Sequence, residues 1–390
     1  MKNNLNSVSR AVKIALVAST AATASLAMPV LAQDANAEIK NIEKIAVVGS
    51  RAAPRSVAES PVPIDIIGGD ELAKSGNTDM LEILKGAVPS LNVHSNPISD
   101  AASLVRPANL RGLPSDSTLI LLNGKRRHRS GVIAELGGSL SSGSQGADIS
   151  AIPSMAIKQV EVLRDGAAAL YGSDAIAGVM NFVLKDDSDG GTIYVKQGQY
   201  TDEGENMTEV GGNIGMPLTD NGFANLSFQY KNADATSRSV QRPDAAAFNQ
   251  NGLNVPNPAQ IWGSPEVNDD ITIFGNVGLD LGNDSEAYMF GNYSERDVRG
   301  VGDGISCPTI PITSGNVTTQ ADYIAGVAND PNCFAFNEMI PDGFTPNFGG
   351  NITDTSLTIG TKGEFTDGAL AGILYDFSGS VGRSESSFLI

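Results

Sequence analysis

Residues 159–185 read QVEVLRDGAAALYGSDAIAGVMNFVLK. Val160 and Val162 alternate with Glu161 and Leu163, which is the period-two pattern of a strand. A turn at residues 165–166 leads into a short helical segment at 167–171, and a second β-prone run follows at 179–185. The stretch therefore predicts a strand, a helical turn and a second strand within a mixed α and β domain.

The same mixed texture extends on both sides, from residue 56 to about residue 187. Residues 63–67 predict a strand. Residues 79–85 predict a helix with Thr78 as its N-cap, closed by Gly86 and Pro89. Residues 119–122 form a buried type of strand that ends in an Asn-Gly turn. About 130 residues of this kind are enough to bury a small core.

Three segments of this domain resemble one protein family. The 159–185 stretch resembles the end of the plug domain of TonB-dependent outer-membrane receptors. Asn109-Leu-Arg111-Gly112, followed by the Leu-rich strand and turn at 119–124, resembles the middle of that domain. One departure is Asp165-Gly166, where the general pattern has Gly-Pro. The resemblance implies that Arg111 and Arg164 pair with barrel carboxylates and lock the plug; the alternative is that they are ordinary exposed arginines.

The N-terminus has the pattern of an export signal. Three basic residues, Lys2, Arg10 and Lys13, precede an apolar run at 14–27. Val30 and Ala32 then occupy the two positions at which a signal peptidase requires small residues. This pattern predicts a signal peptide at residues 1–32, with a membrane anchor as the alternative. A linker is expected at 33–55, before the mixed domain.

The linker contains a short β-prone run, Ile-Glu-Lys-Ile-Ala-Val-Val, at residues 42–48. The residues alone allow an edge strand of the next domain or a docking strand that a partner adds to its own sheet. Because the run lies just ahead of the plug, the resemblance favours the docking strand. It implies a TonB box and makes TonB, with its inner-membrane energising complex, the expected partner. The box comprises Glu43, Lys44, Ile45, Ala46, Val47 and Val48.

Residues 189–390 predict antiparallel strands in which apolar and polar side chains alternate. In one of them Leu226 and Phe228 share a face opposite Ser227 and Gln229. About seven strands are expected, near 192–200, 206–215, 222–232, 268–282, 285–298, 355–366 and 371–383. A soluble β-sandwich alternates as well, but the export signal and the resemblance favour a transmembrane β-barrel. Since a barrel that holds a plug has about 22 strands, the chain is expected to be incomplete.

Composition excludes several classes of function. Lys plus Arg is 26 and Asp plus Glu is 44, so the formal charge of −18 makes nucleic acid an improbable partner. Two isolated histidines and two cysteines leave little room for a zinc site or a catalytic triad. No catalytic residues, metal site or cofactor are therefore expected, and the protein is predicted not to be an enzyme.

Three further segments have specific interpretations. Cys307 and Cys333 lie in one long connection of an exported chain and are expected to form a disulfide. The basic run at 125–129 is either a solvated turn, which is favoured, or a plug loop that attracts an anionic ligand. The Gly- and Ser-rich stretch at 137–146 predicts a mobile plug loop.

The sequence thus predicts an α+β plug domain at 56–188, followed by a partial antiparallel transmembrane β-barrel at 189–390, in the Gram-negative outer membrane. The implied function is TonB-dependent active uptake of a scarce extracellular nutrient of small or medium size, such as a siderophore–iron complex, cobalamin, an oligosaccharide or a peptide. The sequence does not indicate which residues bind the ligand. The barrel is expected to be surrounded by outer-membrane lipid. The alternatives are an adhesion or structural β-barrel protein and a non-functional receptor fragment.

Overall fold

A computed structural model describes residues 45–46, 55–56, 64–75, 77, 79–93, 104–134, 139–164, 167–201, 205–250, 255–259, 263–301 and 347–389. The predicted signal peptide and the predicted disulfide between Cys307 and Cys333 lie outside these residues. None of the described helices is both long and apolar enough to cross a membrane.

The first described elements are two very short strands within the predicted linker. Strand β1 (Ile45–Ala46) pairs antiparallel with β2 (Arg55–Ser56). The other four residues of the predicted TonB box lie outside the described part of the chain, so the box stays a prediction.

A mixed domain, which we call the plug, follows. Its elements are β3 (Ile64–Gly68), α1 (Gly69–Lys74), α2 (Met80–Ala87), β4 (Leu91–Val93), β5 (Ala108–Leu110), β6 (Thr118–Leu122), β7 (Lys125–Arg126), β8 (Ile157–Leu163), α3 (Ala168–Tyr171) and β9 (Gly178–Leu184). Five strands form a sheet in the order β3-β8-β9-β6-β7, in which only β6 and β9 are parallel. Strands β4 and β5 form a separate antiparallel pair.

The quoted stretch forms the centre of this sheet. Its strand–turn–strand prediction is confirmed by β8, α3 and β9. Val160, Met180 and Phe182 are fully buried and pack in the main core with Leu84 of α2. The core explains why apolar side chains dominate both strands.

Gly178 in this stretch has a specific structural role. Its φ is +150°, and a Cβ atom there would lie 2.3 Å from the carbonyl oxygen of Leu163. Only glycine allows β9 to begin this close to β8.

Helix α2 begins one residue later than predicted. Its N-cap is Asp79, whose Oδ1 accepts a hydrogen bond from the amide of Glu82 at 3.1 Å. The prediction of Thr78 as N-cap is therefore wrong. A carboxylate suits this position because the exposed N–H groups of a helix start favour negative charge.

Seven consecutive antiparallel strands form a second sheet, which we call the wall. They are β10 (Gly191–Gln199), β11 (Asn206–Thr219), β12 (Gly222–Ala233), β13 (Glu266–Gly282), β14 (Ser285–Val301), β15 (Asn347–Glu364) and β16 (Leu374–Leu389). The seven predicted strands are confirmed, and most are longer than expected. Helix α4 (Pro243–Gln250) lies in the connection between β12 and β13.

The two faces of the wall have opposite character. On β12, Leu226 and Phe228 are 44% and 37% exposed, whereas Asn225 and Ser227 are 3% and 4% exposed. The polar side chains thus face the plug and the apolar ones face outward. This is the inverse of a soluble sandwich and the pattern of a transmembrane strand.

The Gly- and Ser-rich stretch is fastened to the plug over residues 139–146. Ser141 and Ser144 are buried, and the Ser141 hydroxyl accepts hydrogen bonds from the Asn109 amide at 2.8 Å and the Ser115 backbone N–H at 3.2 Å. The prediction of a mobile loop is therefore wrong for these residues, because their hydroxyl groups form hydrogen bonds with other residues of the plug.

Candidate functional site: the contact between plug and wall

One wall carboxylate, Asp354 of β15, binds two neighbouring plug residues. Arg127 donates to its Oδ1 at 2.5 Å, and His128 Nε2 lies 2.8 Å from its Oδ2. Asn292 of β14 also donates to Oδ1, at 3.0 Å. The side chains of Arg127 and Asp354 are each only 2% exposed. We call this group, Arg127, His128, Asn292 and Asp354, the Asp354 latch.

The local backbone explains how the plug reaches this carboxylate. A turn at Asn123 and Gly124, both with positive φ, reverses the chain after β6. The Arg127 amide then donates to the Ile120 carbonyl at 2.9 Å, which extends the pairing beyond β7. On the other side, a Cβ at Gly382 of β16 would lie 2.2 Å from His128 Nδ1. A glycine in β16 therefore makes the space that the imidazole occupies.

A second buried ion pair joins wall and plug further along the same face. Arg296 of β14 donates to Asp148 of the plug at 2.5 Å, and the two side chains are 5% and 1% exposed. Arg296 also donates to the Leu104 carbonyl at 3.2 Å. One terminal nitrogen of Arg296, Nη2, thus binds two different plug segments.

A third contact surrounds the start of α2. Arg106 donates to Asp79 Oδ2 at 2.5 Å, and Lys231 of β12 lies 3.8 Å from the same oxygen. Burial opposes ionisation of Asp79, but the charges of Arg106 and Lys231 hold its pKa well below the usual range. A cavity of 320 Å³, lined by these three residues, Asp270 and Arg296, lies here between plug and wall.

A further contact between plug and wall is more exposed. It lies at the end of the wall where short turns join β11 to β12 and β13 to β14. Lys125 donates to Asp376 of β16 at 2.7 Å, and the Tyr288 hydroxyl donates to the other oxygen of Asp376 at 2.5 Å. Burial lowers the pKa of Lys125, but its contacts with Asp376 and Tyr288 outweigh this effect and raise it. A wide cavity of 1200 Å³ opens beside this contact.

The basic run at 125–129 therefore forms most of these contacts. Lys125, Arg127 and His128 bind wall carboxylates, and Arg126 binds Asp174 within the plug. Arg129 is exposed. The favoured prediction of a solvated turn is wrong for Arg127, because that side chain is buried against the wall.

The two arginines predicted to lock the plug have other surroundings. Arg164 binds Asp65 of β3, with Nε 2.7 Å from Oδ2, so its described partner belongs to the plug itself. Arg111 is exposed and adopts a φ of +56°. A pairing of either residue with barrel carboxylates stays a prediction.

The residues that hold plug and wall together were mostly not predicted. Asp148, Arg296 and Asp354 were not candidates, and Arg127 was included only within the basic run at 125–129. Two signals bear on them: the basic run in an acidic chain, and the position of Arg296 within the predicted strand at 285–298. Neither signal names a partner, because Arg127 and Asp354 lie 227 positions apart.

Within the part of the chain that the structure describes, no group of three or more His, Cys, Asp or Glu residues is arranged to hold a metal ion. Lys125, Arg127, His128, Arg296 and Lys231 form ion pairs between plug and wall. The arrangement can therefore hold two parts of a protein together.

A mixed plug bound to the polar face of antiparallel strands with an apolar outer face defines a plugged β-barrel protein. Residues 56–179 match the family model described as the TonB-dependent Receptor Plug Domain. Residues 56–179 are thus a TonB-dependent receptor plug domain.

Two curated relatives show the extent of the similarity. The chain is 27% identical over 193 residues to the vitamin B12 transporter BtuB of Photobacterium profundum, covering 50% of this chain and 28% of that protein. It is 27% identical over 265 residues to the rhizobactin receptor of Rhizobium meliloti, covering 65% of this chain and 31% of that protein. The chain thus spans less than a third of the length of either relative.

Solved structures support the same fold. A mutant (Q482A) of the ferric enterobactin receptor of Pseudomonas aeruginosa, in complex with enterobactin, aligns with a TM-score of 0.54 and 16% identity. The alignment covers 83% of this chain and 41% of that one. At this identity the likeness concerns the fold alone.

Proposed function

We propose that this chain provides the plug and part of the barrel wall of an outer-membrane receptor that takes up a scarce nutrient with energy supplied through TonB. The observation that carries the proposal is the interface between plug and wall. It is built from buried ion pairs and polar side chains, while the outer face of the wall is apolar.

Such an interface suits a plug that moves and returns. If an apolar interface opened, it would expose hydrophobic surface to water at about 25 cal/mol per Å². Asn, Ser, Thr and Gln side chains instead exchange protein hydrogen bonds for bonds to water, which costs little net free energy. The buried ion pairs oppose the first step of opening, because their attraction is strong until water reaches the separated charges.

TonB is the proposed source of that work. We propose that Glu43–Val48 adds as a strand to a sheet of TonB and transmits a pull to the start of the plug. The relatives include the vitamin B12 transporter named above and a protein of Acinetobacter baumannii described as a probable TonB-dependent siderophore receptor. A cobalamin or a ferric siderophore is accordingly the proposed class of ligand.

The mechanism is tested by editing the chromosomal gene so that the protein lacks residues 43–48. The expected result is that cells still bind the ligand but lose its uptake, measured with radiolabelled cobalamin in one arm and ferric siderophores in the other. Collapse of the proton gradient should have the same effect on the unmodified protein. Uptake that continues in either case would contradict the proposal. If the unmodified protein takes up neither ligand, an adhesion or structural role is favoured instead.

A further inference from the structure

A small cavity of 150 Å³ lies between the basic run of the plug and strands β14–β16 of the wall. Lys125 and Asp376 meet at one side of it, and the Asp354 latch lies at the other, so that Lys125, Arg127 and His128 all line it. The cavity is thus flanked by contacts between plug and wall.

The polar groups around the cavity are cations and hydroxyls. Three wall residues with hydroxyl groups also line it, Ser356, Thr358 and Ser380. The Ser356 hydroxyl accepts a hydrogen bond from Arg127 at 2.8 Å. The Thr358 and Ser380 hydroxyls lie 2.9 Å apart. Among the described residues that line the cavity, none is a carboxylate. The lining therefore offers hydrogen-bond donors and basic side chains, and the carboxylates that pair with these side chains, Asp354 and Asp376, do not line the cavity.

Arg127 has a donor that the latch does not use. Its side chain is buried, yet its Nε–H has no acceptor within the described part of the chain. Burial lowers the pKa of Arg127, and the charges of Asp354 and Asp148 offset this only in part. A buried, unpaired donor on a guanidinium usually indicates an additional acceptor.

We propose that this cavity is a binding site for a single oxyanion, a carboxylate or phosphate group, held by Lys125, Arg127 and the hydroxyls of Thr358 and Ser380. The anion binds donors of the plug and of the wall at once, and so joins them. The inference goes beyond the uptake function and does not depend on it, because it concerns binding alone. The cavity is too small for a whole metal chelate, but it is large enough for one charged group.

Calorimetric titration of the purified protein in a neutral detergent tests the site. Inorganic phosphate is the probe in one arm and acetate in the other, and sodium chloride at equal ionic strength supplies the baseline. Saturable binding is expected, together with a rise in Tm. Binding of phosphate alone assigns the site to a phosphate group, binding of acetate alone assigns it to a carboxylate, and binding of both shows that it accepts either oxyanion.

Variants assign the binding to this cavity. Lys125→Gln is expected to weaken binding about tenfold or more, since a hydrogen bond to a charged group is lost, and Lys125→Arg should retain it. Thr358→Val is expected to weaken it about threefold to tenfold. Thr355→Val lies on the outward face of the same strand and serves as the matched control. The proposal is overturned if neither anion binds above the chloride baseline, or if Lys125→Gln and Thr358→Val bind as the unmodified protein does.

Discussion

Asp354 binds two plug residues, and its side chain is almost completely buried. If Asp354 is replaced by Asn, the buried guanidinium of Arg127 keeps its neutral partners Asn292 and Ser356 but loses its counter-charge. Asp354→Asn is expected to reduce the free energy of unfolding by about 3–5 kcal/mol. Urea unfolding of the purified protein measures the change.

Glu385 provides the control for that substitution. It also lies on the wall and pairs with an arginine, but both side chains are more than half exposed. Glu385→Gln should change the stability by no more than about 0.5 kcal/mol. Equal effects of the two substitutions would show that the Asp354 latch does not hold the plug.

Asp79 predicts a specific dependence of stability on pH. Its pKa lies well below the usual range in the folded protein, so its ionised form stabilises the fold above the unfolded pKa of about 4. This stabilisation is lost as the pH falls through the lower folded pKa. Asp79→Asn keeps a good N-cap but removes the charge that Arg106 and Lys231 bind.

The measurement is the difference in unfolding free energy between the unmodified protein and Asp79→Asn at several pH values. The difference should be constant above about pH 5 and should shrink as the pH falls below about 4. A difference that does not change with pH would show that the ionised carboxylate does not provide the stabilisation.

At the level of elements, the absence of a side chain at Gly178 allows β9 to begin close to β8. Gly178→Ala is expected to destabilise the plug by about 1–3 kcal/mol, because the new methyl group meets the Leu163 carbonyl. Gly86→Ala in α2 is the control with the opposite sign. No atom lies within 4 Å of a Cβ there, and alanine favours a helix by roughly 0.5–1 kcal/mol. Limited proteolysis and urea unfolding measure both effects. If the two substitutions changed the free energy of unfolding in the same direction, the packing argument would be contradicted.

Strand β12 tests which face of the wall meets lipid. Phe228 faces outward and Ser227 faces the plug. Phe228→Lys is expected to cost about 2–4 kcal/mol if the residue lies near the bilayer midplane, and less nearer its surfaces. Ser227→Ala should be almost neutral in comparison. Measuring folded protein in outer-membrane fractions compares the two, and a tolerated Phe228→Lys would place this face in water.

Secondary structure was largely predictable, since it depends on local patterns. The alternation of Leu226 and Phe228 with Ser227 identified a strand, and the quoted stretch identified β8 and β9. The contacts between plug and wall were not predictable in the same way. Arg127 finds Asp354 only after the turn at 123–124 and the register of β15 are fixed, and no spacing in the sequence encodes that meeting.

At the scale of the whole molecule, the plug must separate from the wall if uptake follows the proposed mechanism. Gly131 of the plug and Ser386 of β16 allow a direct test, because a Cβ at Gly131 would lie 3.5 Å from the Ser386 hydroxyl oxygen. A Cβ at Gly131 would also lie 2.9 Å from the Ser384 carbonyl oxygen, so the segment must shift slightly before a disulfide closes. The disulfide between cysteines at both positions is therefore verified in the oxidised double variant before uptake is measured.

In the oxidised double variant, uptake of radiolabelled ligand should be lost while surface binding persists, and a reductant should restore uptake. Gly131→Cys and Ser386→Cys alone control for mispairing with Cys307 or Cys333. Because a disulfide holds only this segment of the plug, uptake at the normal rate in the oxidised protein would show that residues near Gly131 stay against the wall during transport. The moving part of the plug would then lie among elements that make no ion pair with the wall in the described residues. Strand β3, which the Asp65–Arg164 pair holds to the end of β8, is the first candidate.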